Sequence, residues 1–256
     1  MSAPDTVRPT ITLTFEVHPA LRFLLPRELR NQPGFQHVIE RNASIKDVVE
    51  SLGIPHTEIG TLIVDRREVG FAHQVADQES LVLQPIQQPC DVTHPTLLRP
   101  APLPAPRFLV DQNVARLAAL LRMAGFDTTY SPDWHDAELA QRSVQEHRIL
   151  LTRDRALLRR ACIDYGHLVC AGKPREQLKE VITFYGLHKQ VTPFTRCMRC
   201  NGLLHSVPKS EILDQLKPLT RRFYEEFNQC SDCGQIYWEG THKKGLEDIL
   251  SQALEG

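Results

Sequence analysis

The chain has 256 residues, 41% of them hydrophobic and 24% charged, with a formal net charge of −1. That balance is globular, leaves room for two or three domains, and excludes a disordered or collagen-like chain. No run of 18 apolar residues and no charged-then-apolar N-terminus is present, so we expect no transmembrane helix, no signal peptide and a cytoplasmic protein.

Residues 1–86 read as a small β-rich domain. Ile11, Leu13, Phe15 and Val17 alternate with polar residues, the period of a half-buried strand. His37–Glu40 gives a second strand. Ser44 to Gly53 predicts a helix, with Ser44 as N-cap, Asp47 three residues on, and Ile45, Val48, Val49 and Leu52 on one face. Strands follow at Gly60–Asp65 and Ser80–Pro85. A hairpin, one helix and two further strands resemble the ubiquitin-like β-grasp fold. Sulfur carriers of that fold end in a free Gly-Gly, whereas this chain continues, so the expected role is docking of a protein partner or a passive solubilising domain. Residues 87–106 are rich in proline and predict a semi-rigid linker.

Residues 107–190 alternate strands and helices, the pattern of a parallel α/β sheet. Expected strands are Phe108–Val110, Asp127–Tyr130, Ile149–Thr152 and His167–Cys170. Expected helices are Val114–Ala124, with Arg116 and Arg122 on its polar side, then Ala137–Glu146, Arg155–Arg160 and Arg175–Tyr185. Two apolar strands run straight into acids, at Asp111 and at Asp154, and Asp133, Asp136 and Glu138 cluster between them. Ligand sites of parallel sheets lie beyond the carboxyl ends of the strands. Carboxylates gathered there repel one another unless a cation neutralises them, which points to Mg²⁺ or Mn²⁺. Asp136 is the first choice within the middle cluster and Glu138 the next. Asn113 adds an oxygen ligand, orients a water, or is simply a turn residue at the helix start. Each acid could equally cap a following helix. Residues 1–85 carry 8 basic against 11 acidic side chains, residues 106–190 carry 13 against 10. A basic surround with an acidic centre suits phosphate binding at a metal site.

Residues 191–256 hold two CxxC pairs, Cys197/Cys200 and Cys230/Cys233, each followed by a nearby glycine. Seven cysteines are an odd number, and four of them in paired knuckles favour a structural Zn²⁺ over disulfides. The 29 residues between the pairs predict a helical insert containing Ser210–Leu216 and the basic pair Arg221–Arg222. Tyr237 and Trp238 either stack bases or close the small core, and Lys243 and Lys244 are expected RNA contacts.

The string FLVDQN…RLAALLRMAGFDT…DWHDAELA…HRILLTRDRALL, with the cysteines beyond it, resembles the ribonuclease domain called the Mut-seven C-terminal domain, over roughly residues 106–245. The resemblance implies a PIN-like nuclease domain with an appended zinc ribbon and an N-terminal ubiquitin-like domain. It implies a metal-dependent endoribonuclease in which Asp111, Asp136 and Asp154 hold the metal, and in which Arg153 and Arg155 of the TRD segment contact phosphate. A small structured RNA such as tRNA is the expected substrate. The alternative is an RNA-binding adaptor with a degenerate nuclease domain.

Overall fold

The computed structural model describes residues 9–238 and Ser251. The chain forms two compact units, the first from residues 1–87, 94–102 and 154–168, the second from residues 88–93, 103–153 and 169–256.

The first unit contains β1 (Ile11–Val17), β2 (Gly34–Ile39), α1 (Ile45–Ser51), β3 (Ile59–Val64), β4 (Arg67–Glu68) and β5 (Ser80–Pro85). Its sheet order is β2-β1-β5-β3-β4, with β1 and β5 parallel and the remaining neighbours antiparallel. This is the β-grasp arrangement. The alternating apolar residues of β1 all face inward, and Leu13 and Phe15 are fully buried. Ser44 and Asp47 form a reciprocal capping box at the start of α1: Ser44 Oγ accepts from the Asp47 N–H and Asp47 Oδ2 accepts from the Ser44 N–H. Strand β2 begins at Gly34, three residues before its expected start. It is an edge strand whose outward residues Gln36 and Val38 are exposed, so polar and apolar residues alternate too weakly to mark it.

The second unit opens with β6 (Phe108–Val110), α2 (Ala115–Met123), β7 (Thr128–Thr129), α3 (Asp136–Gln145) and β8 (Ile149–Thr152). Strand β6 lies between β7 and β8 and is parallel to both. All residues of β6 and β8 are buried, which is why each reads as a continuous apolar run. The chain then enters the first unit with α4 (Arg155–Leu158) and β9 (Gly166–Leu168). It returns with α5 (Pro174–Phe184), β10 (Leu204–Val207), α6 (Lys209–Ile212), α7 (Pro218–Phe223), β11 (Phe227–Cys230) and β12 (Ile236–Trp238). α2 packs on α5, and β10, β11 and β12 form an antiparallel sheet. Among the described residues no helix is long and apolar enough to cross a membrane.

The proline-rich stretch supplies buried apolar side chains to both units, Leu98 to the first and Val92 and Leu103 to the second. Its Arg99 donates four hydrogen bonds within the first unit. Nε donates to Asp164 O at 3.1 Å, Nη1 to Ile59 O at 3.0 Å, and Nη2 to Thr57 O at 2.8 Å and His56 O at 3.3 Å. The segment 154–168 is tied in by other bonds of the same unit. Lys46 Nζ donates to Ala161 O at 3.0 Å, His56 Nε2 pairs with Ile163 O at 2.6 Å, and the Leu168 N–H donates to Glu58 Oε1 at 2.8 Å. Arg155 donates to the carbonyls of Leu24 and Phe23.

Removing the Arg99 guanidinium takes a donor from the carbonyls of Thr57, Ile59 and Asp164, while His56 O keeps the Ile59 N–H. Arg99→Ala is therefore expected to destabilise the chain by about 2–3 kcal/mol, read as a lower urea midpoint at unchanged slope. It is also expected to hasten proteolysis within residues 154–168. A variant with the wild-type midpoint would refute this role.

Candidate active edge and metal centre

Crossover connections in a parallel sheet start each following helix at the carboxyl edge of the strands. Asp111 lies one residue past the end of β6 and is held there on both oxygens. Oδ2 accepts from Thr152 Oγ at 2.6 Å and from Asn113 Nδ2 at 2.6 Å, and Oδ1 accepts from the Gln112 N–H. Asn113 also donates to Thr152 Oγ at 3.1 Å and accepts from the Arg153 N–H through Oδ1 at 3.0 Å. One amide thus clamps the end of β6 to the end of β8 and fixes the direction of the Asp111 carboxylate. Thr152, buried at the last position of β8, was not among the expected site residues. Its place before the Arg-Asp pair at a strand end was the available signal.

Asp136 is the first residue of α3, with His135 rather than Asp136 at the N-cap. It sits at the same carboxyl edge because α3 follows β7, and α3 packs on β6 and β8. Glu138 is occupied by Arg142, at 3.0 Å. Arg142 also pairs with Glu146 and lies over the Trp134 ring, 4.1 Å from its centroid. Asp133 accepts from Ser131 Oγ at 3.5 Å. Asp154 caps α4, its Oδ1 accepting from the N–H groups of Ala156 and Leu157, and it belongs to the first unit. Arg153 and Arg116 have exposed side chains, whereas the Arg155 guanidinium is engaged by backbone carbonyls and lies 5.5 Å from the Phe23 ring centroid. Lys243 and Lys244 lie outside the described residues.

The amino edge of the same sheet has a different character. Asp127, just before β7, accepts from Arg107 Nε at 3.0 Å, from Arg148 Nη1 at 2.7 Å and from Asn201 Nδ2 at 2.8 Å. Burial pushes its carboxyl up, but the bonds from Arg148 and Asn201 and the charges of Arg148 and Arg107 outweigh burial, and the value falls to about 2. Asn201 belongs to the first CxxC turn, where it adopts a left-handed backbone with φ 76°, and its Oδ1 accepts from the Thr128 N–H at 2.9 Å.

The four cysteines come together as expected. Their sulfurs all lie within 4.8 Å of one another, with Cys197–Cys233 at 3.7 Å and Cys200–Cys230 at 3.4 Å. Tetrahedral Zn–S bonds of about 2.3 Å put sulfurs roughly 3.8 Å apart, so the donor set fits a structural Zn²⁺. Among the described residues this is the one such group of metal-ligating side chains, and Asp111, Asp133, Asp136 and Glu138 do not close to that spacing. A Cβ at Gly202 would meet Asp232 at 2.6 Å and Cys230 Sγ at 2.8 Å, so close approach demands that glycine. Tyr237 lies 3.1 Å from Cys197 Sγ. Burial pushes the Cys197 thiol up, but Tyr237 and the backbone N–H groups of Cys200 and Arg199 more than offset it, to about 7.

Arg122 corrects the expectation of an exposed basic helix face. It is only 5% exposed. Its Nε donates to Thr128 O at 2.8 Å, and its Nη1 to Met198 O at 3.1 Å and Arg199 O at 3.0 Å. Burial lowers its pKa, and negative charge on Cys200 and Cys197 opposes that.

With this geometry in view, residues 106–250 match the Mut7-C RNAse domain. The chain belongs to that family. Residues 10–91 match the Mut7-C ubiquitin domain, the β-grasp part of the first unit. No curated protein matches the chain. In this Mut7-C chain, then, a parallel α/β sheet, a β-grasp sheet and a four-cysteine cluster suited to zinc accompany a ribonuclease-family domain.

Two tests follow from the amino edge. Purified protein is expected to hold about one zinc per chain, and Cys197→Ser to lose it; a folded, zinc-free protein with these cysteines in disulfides would contradict the assignment. The depressed Asp127 value stabilises the fold fully above the unfolded value of 3.8, and that stability is lost as pH falls through about 2. The expected difference between wild type and Asp127→Asn is about 2 kcal/mol at pH 6, vanishing towards pH 2. Zinc is released from both proteins in acid, so the quantity read from urea unfolding is their difference at each pH. A pH-independent difference would show that the carboxylate charge is not the source.

Proposed function

We propose that this chain is a metal-dependent endoribonuclease acting at the carboxyl edge of the β6–β8 sheet. The observation that carries the reading is Asp111, fixed by Thr152 and Asn113 at the end of the central strand of a Mut7-C RNAse domain. Asp111 and Asp136 are assigned as Mg²⁺ or Mn²⁺ ligands at this edge, and Asp154 is assigned from its place in the TRD segment. Glu138 is a reserve ligand. All-oxygen donors suit a hard divalent cation, and three of the four acceptor directions of Asp111 are used, leaving one for the metal. When bound, the cation supplies a nucleophilic water and charge stabilisation at phosphorus.

The chain's own residues do the positioning. Thr152 and Asn113 hold Asp111 to one direction, and Arg153, whose backbone is pinned by Asn113, offers an exposed guanidinium for the phosphate backbone. Arg116 extends that contact. In-line attack by water leaves a 3′-hydroxyl and a 5′-phosphate. A small structured RNA such as tRNA is the proposed substrate, and a protein partner is proposed for the β-grasp sheet.

The test is cleavage of a mixed small-RNA pool with Mn²⁺ and with EDTA. Asp111→Asn is expected to abolish cleavage, and Asn113→Ala to lower it roughly tenfold or more by freeing the carboxylate. The double variant Asp111→Asn/Asp154→Asn should be hardly worse than either single one, because ligands of one cation act as a unit. Arg153→Ala should weaken RNA binding in a salt-sensitive way with Mn²⁺ binding intact. Cleavage surviving EDTA, or full activity in Asp111→Asn, would overturn the mechanism; RNA binding without any cleavage would favour an adaptor.

A further inference from the structure

Between the helical insert and the second cysteine pair lies an open groove of about 610 Å³, lined by residues that include Gln215, Lys217, Arg199, Gln235 and Trp238. That volume is within the range of ligand sites. Among the described residues the small core beneath it does not include Trp238: Val207, Ile212 and Phe227 are buried together, with Leu216, Tyr224 and Ile236 packed on them. Tyr237 is committed to Cys197. Trp238 remains 37% exposed, and among the described residues its ring contact is a tilted one to Tyr224 at 6.3 Å between centroids. An indole at the wall of a groove, outside that core, is available to an aromatic ligand.

The polar lining narrows the ligand class. No lining residue is a carboxylate, and Arg199 and Lys217 are exposed cations beside Cys233 of the sulfur cluster. Gln215 and Gln235 are exposed amides, each able to donate to and accept from a base edge. The adjoining α7 adds exposed Arg221 and Arg222. Cations for phosphate, amides for base edges and one stacking surface are the elements of single-strand recognition. A duplex hides its base faces, and an acidic peptide offers nothing to stack.

We propose that this groove binds a single-stranded segment of RNA, one base stacked on Trp238, with Lys217 and Arg199 on the neighbouring phosphates. The proposal rests on the ribonuclease reading for the identity of the polymer, and it adds a site apart from the Asp111 edge. Such a site would select RNAs with an unpaired end or loop.

The experiment uses the full-length, zinc-loaded chain carrying Asp111→Asn, with a labelled single-stranded RNA decamer of mixed sequence and a duplex of equal length. Wild-type groove residues should favour the decamer over the duplex. Trp238→Ala is expected to weaken decamer binding roughly ten- to a hundredfold, with Trp238→Phe retaining most of it. Lys217→Ala should reduce the salt slope by about 0.7. Zinc content and melting temperature, unchanged in each variant, separate these effects from misfolding. Equal decamer affinity in Trp238→Ala, or no decamer binding by the chain, overturns the proposal, the second outcome leaving the groove to a protein partner. Cleavage is scored separately in the Asp111 chain with Mn²⁺. Trp238-dependent binding without cleavage removes the ribonuclease reading and keeps this site; cleavage with Trp238-independent binding does the reverse.

Discussion

Asp127 is the constraint on which the second unit depends. It precedes β7, while Arg107 precedes β6 and Arg148 precedes β8. One carboxylate therefore gathers the amino ends of three parallel strands. The same oxygens accept from Asn201 of the first CxxC turn, with Arg196 at 3.9 Å. A buried or half-buried charge cluster of this kind is costly when one member is lost, because the others stay desolvated and unpaired. The β-sheet and the first cysteine knuckle consequently share a boundary condition. The knuckle is no tethered appendage: Arg122, reaching from α2, binds its Met198 and Arg199 carbonyls.

This fastening lies at the opposite edge of the sheet from Asp111. At the amino edge the polar groups are paired to one another. At the carboxyl edge Asp111 is oriented by neutral donors, Thr152 and Asn113, and no arginine among the described residues pairs with it. A carboxylate held by hydroxyl and amide keeps its direction while its charge is not cancelled by a protein cation, which is the condition a metal ligand needs. The division follows from topology, since crossover helices bring the loops after β6, β7 and β8 to one side.

Much of this was legible in the sequence because the relevant signals are local. Apolar triplets ending in acid marked β6 and β8, Ser44 and Asp47 marked the start of α1, and two CxxC pairs marked the sulfur cluster. What stayed hidden depends on pairings distant in sequence. Thr152 acquires its role from Asp111, 41 residues away, and Arg122 from carbonyls 76 and 77 residues on. Arg99 sat in a proline-rich stretch read as a linker, yet its donors bind four carbonyls of the first unit. Composition can show that a segment lacks regular structure, but it cannot show that one of its side chains completes the hydrogen bonding of another segment.

The charge asymmetry illustrates the same limit. Residues 106–190 carry three more basic than acidic side chains, an excess that suggests a phosphate-binding surface. Arg107 and Arg148 are paired to Asp127, Arg142 to Glu138 and Glu146, and Arg122 is buried against carbonyls. Within the first unit Arg155 and Arg159 also donate to backbone carbonyls. Cations so engaged contribute to the long-range field but cannot also release counterions from a polyanion at close range. Exposed cations, among them Arg116 and Arg153 near the acidic edge, Arg175 and Lys189 elsewhere in residues 106–190, and Arg199, Lys217, Arg221 and Arg222 around the cysteine-bearing sheet, are where direct phosphate contact must be sought. An overall charge near zero is therefore compatible with RNA binding here, because binding depends on which cations remain unspent rather than on how many the chain contains.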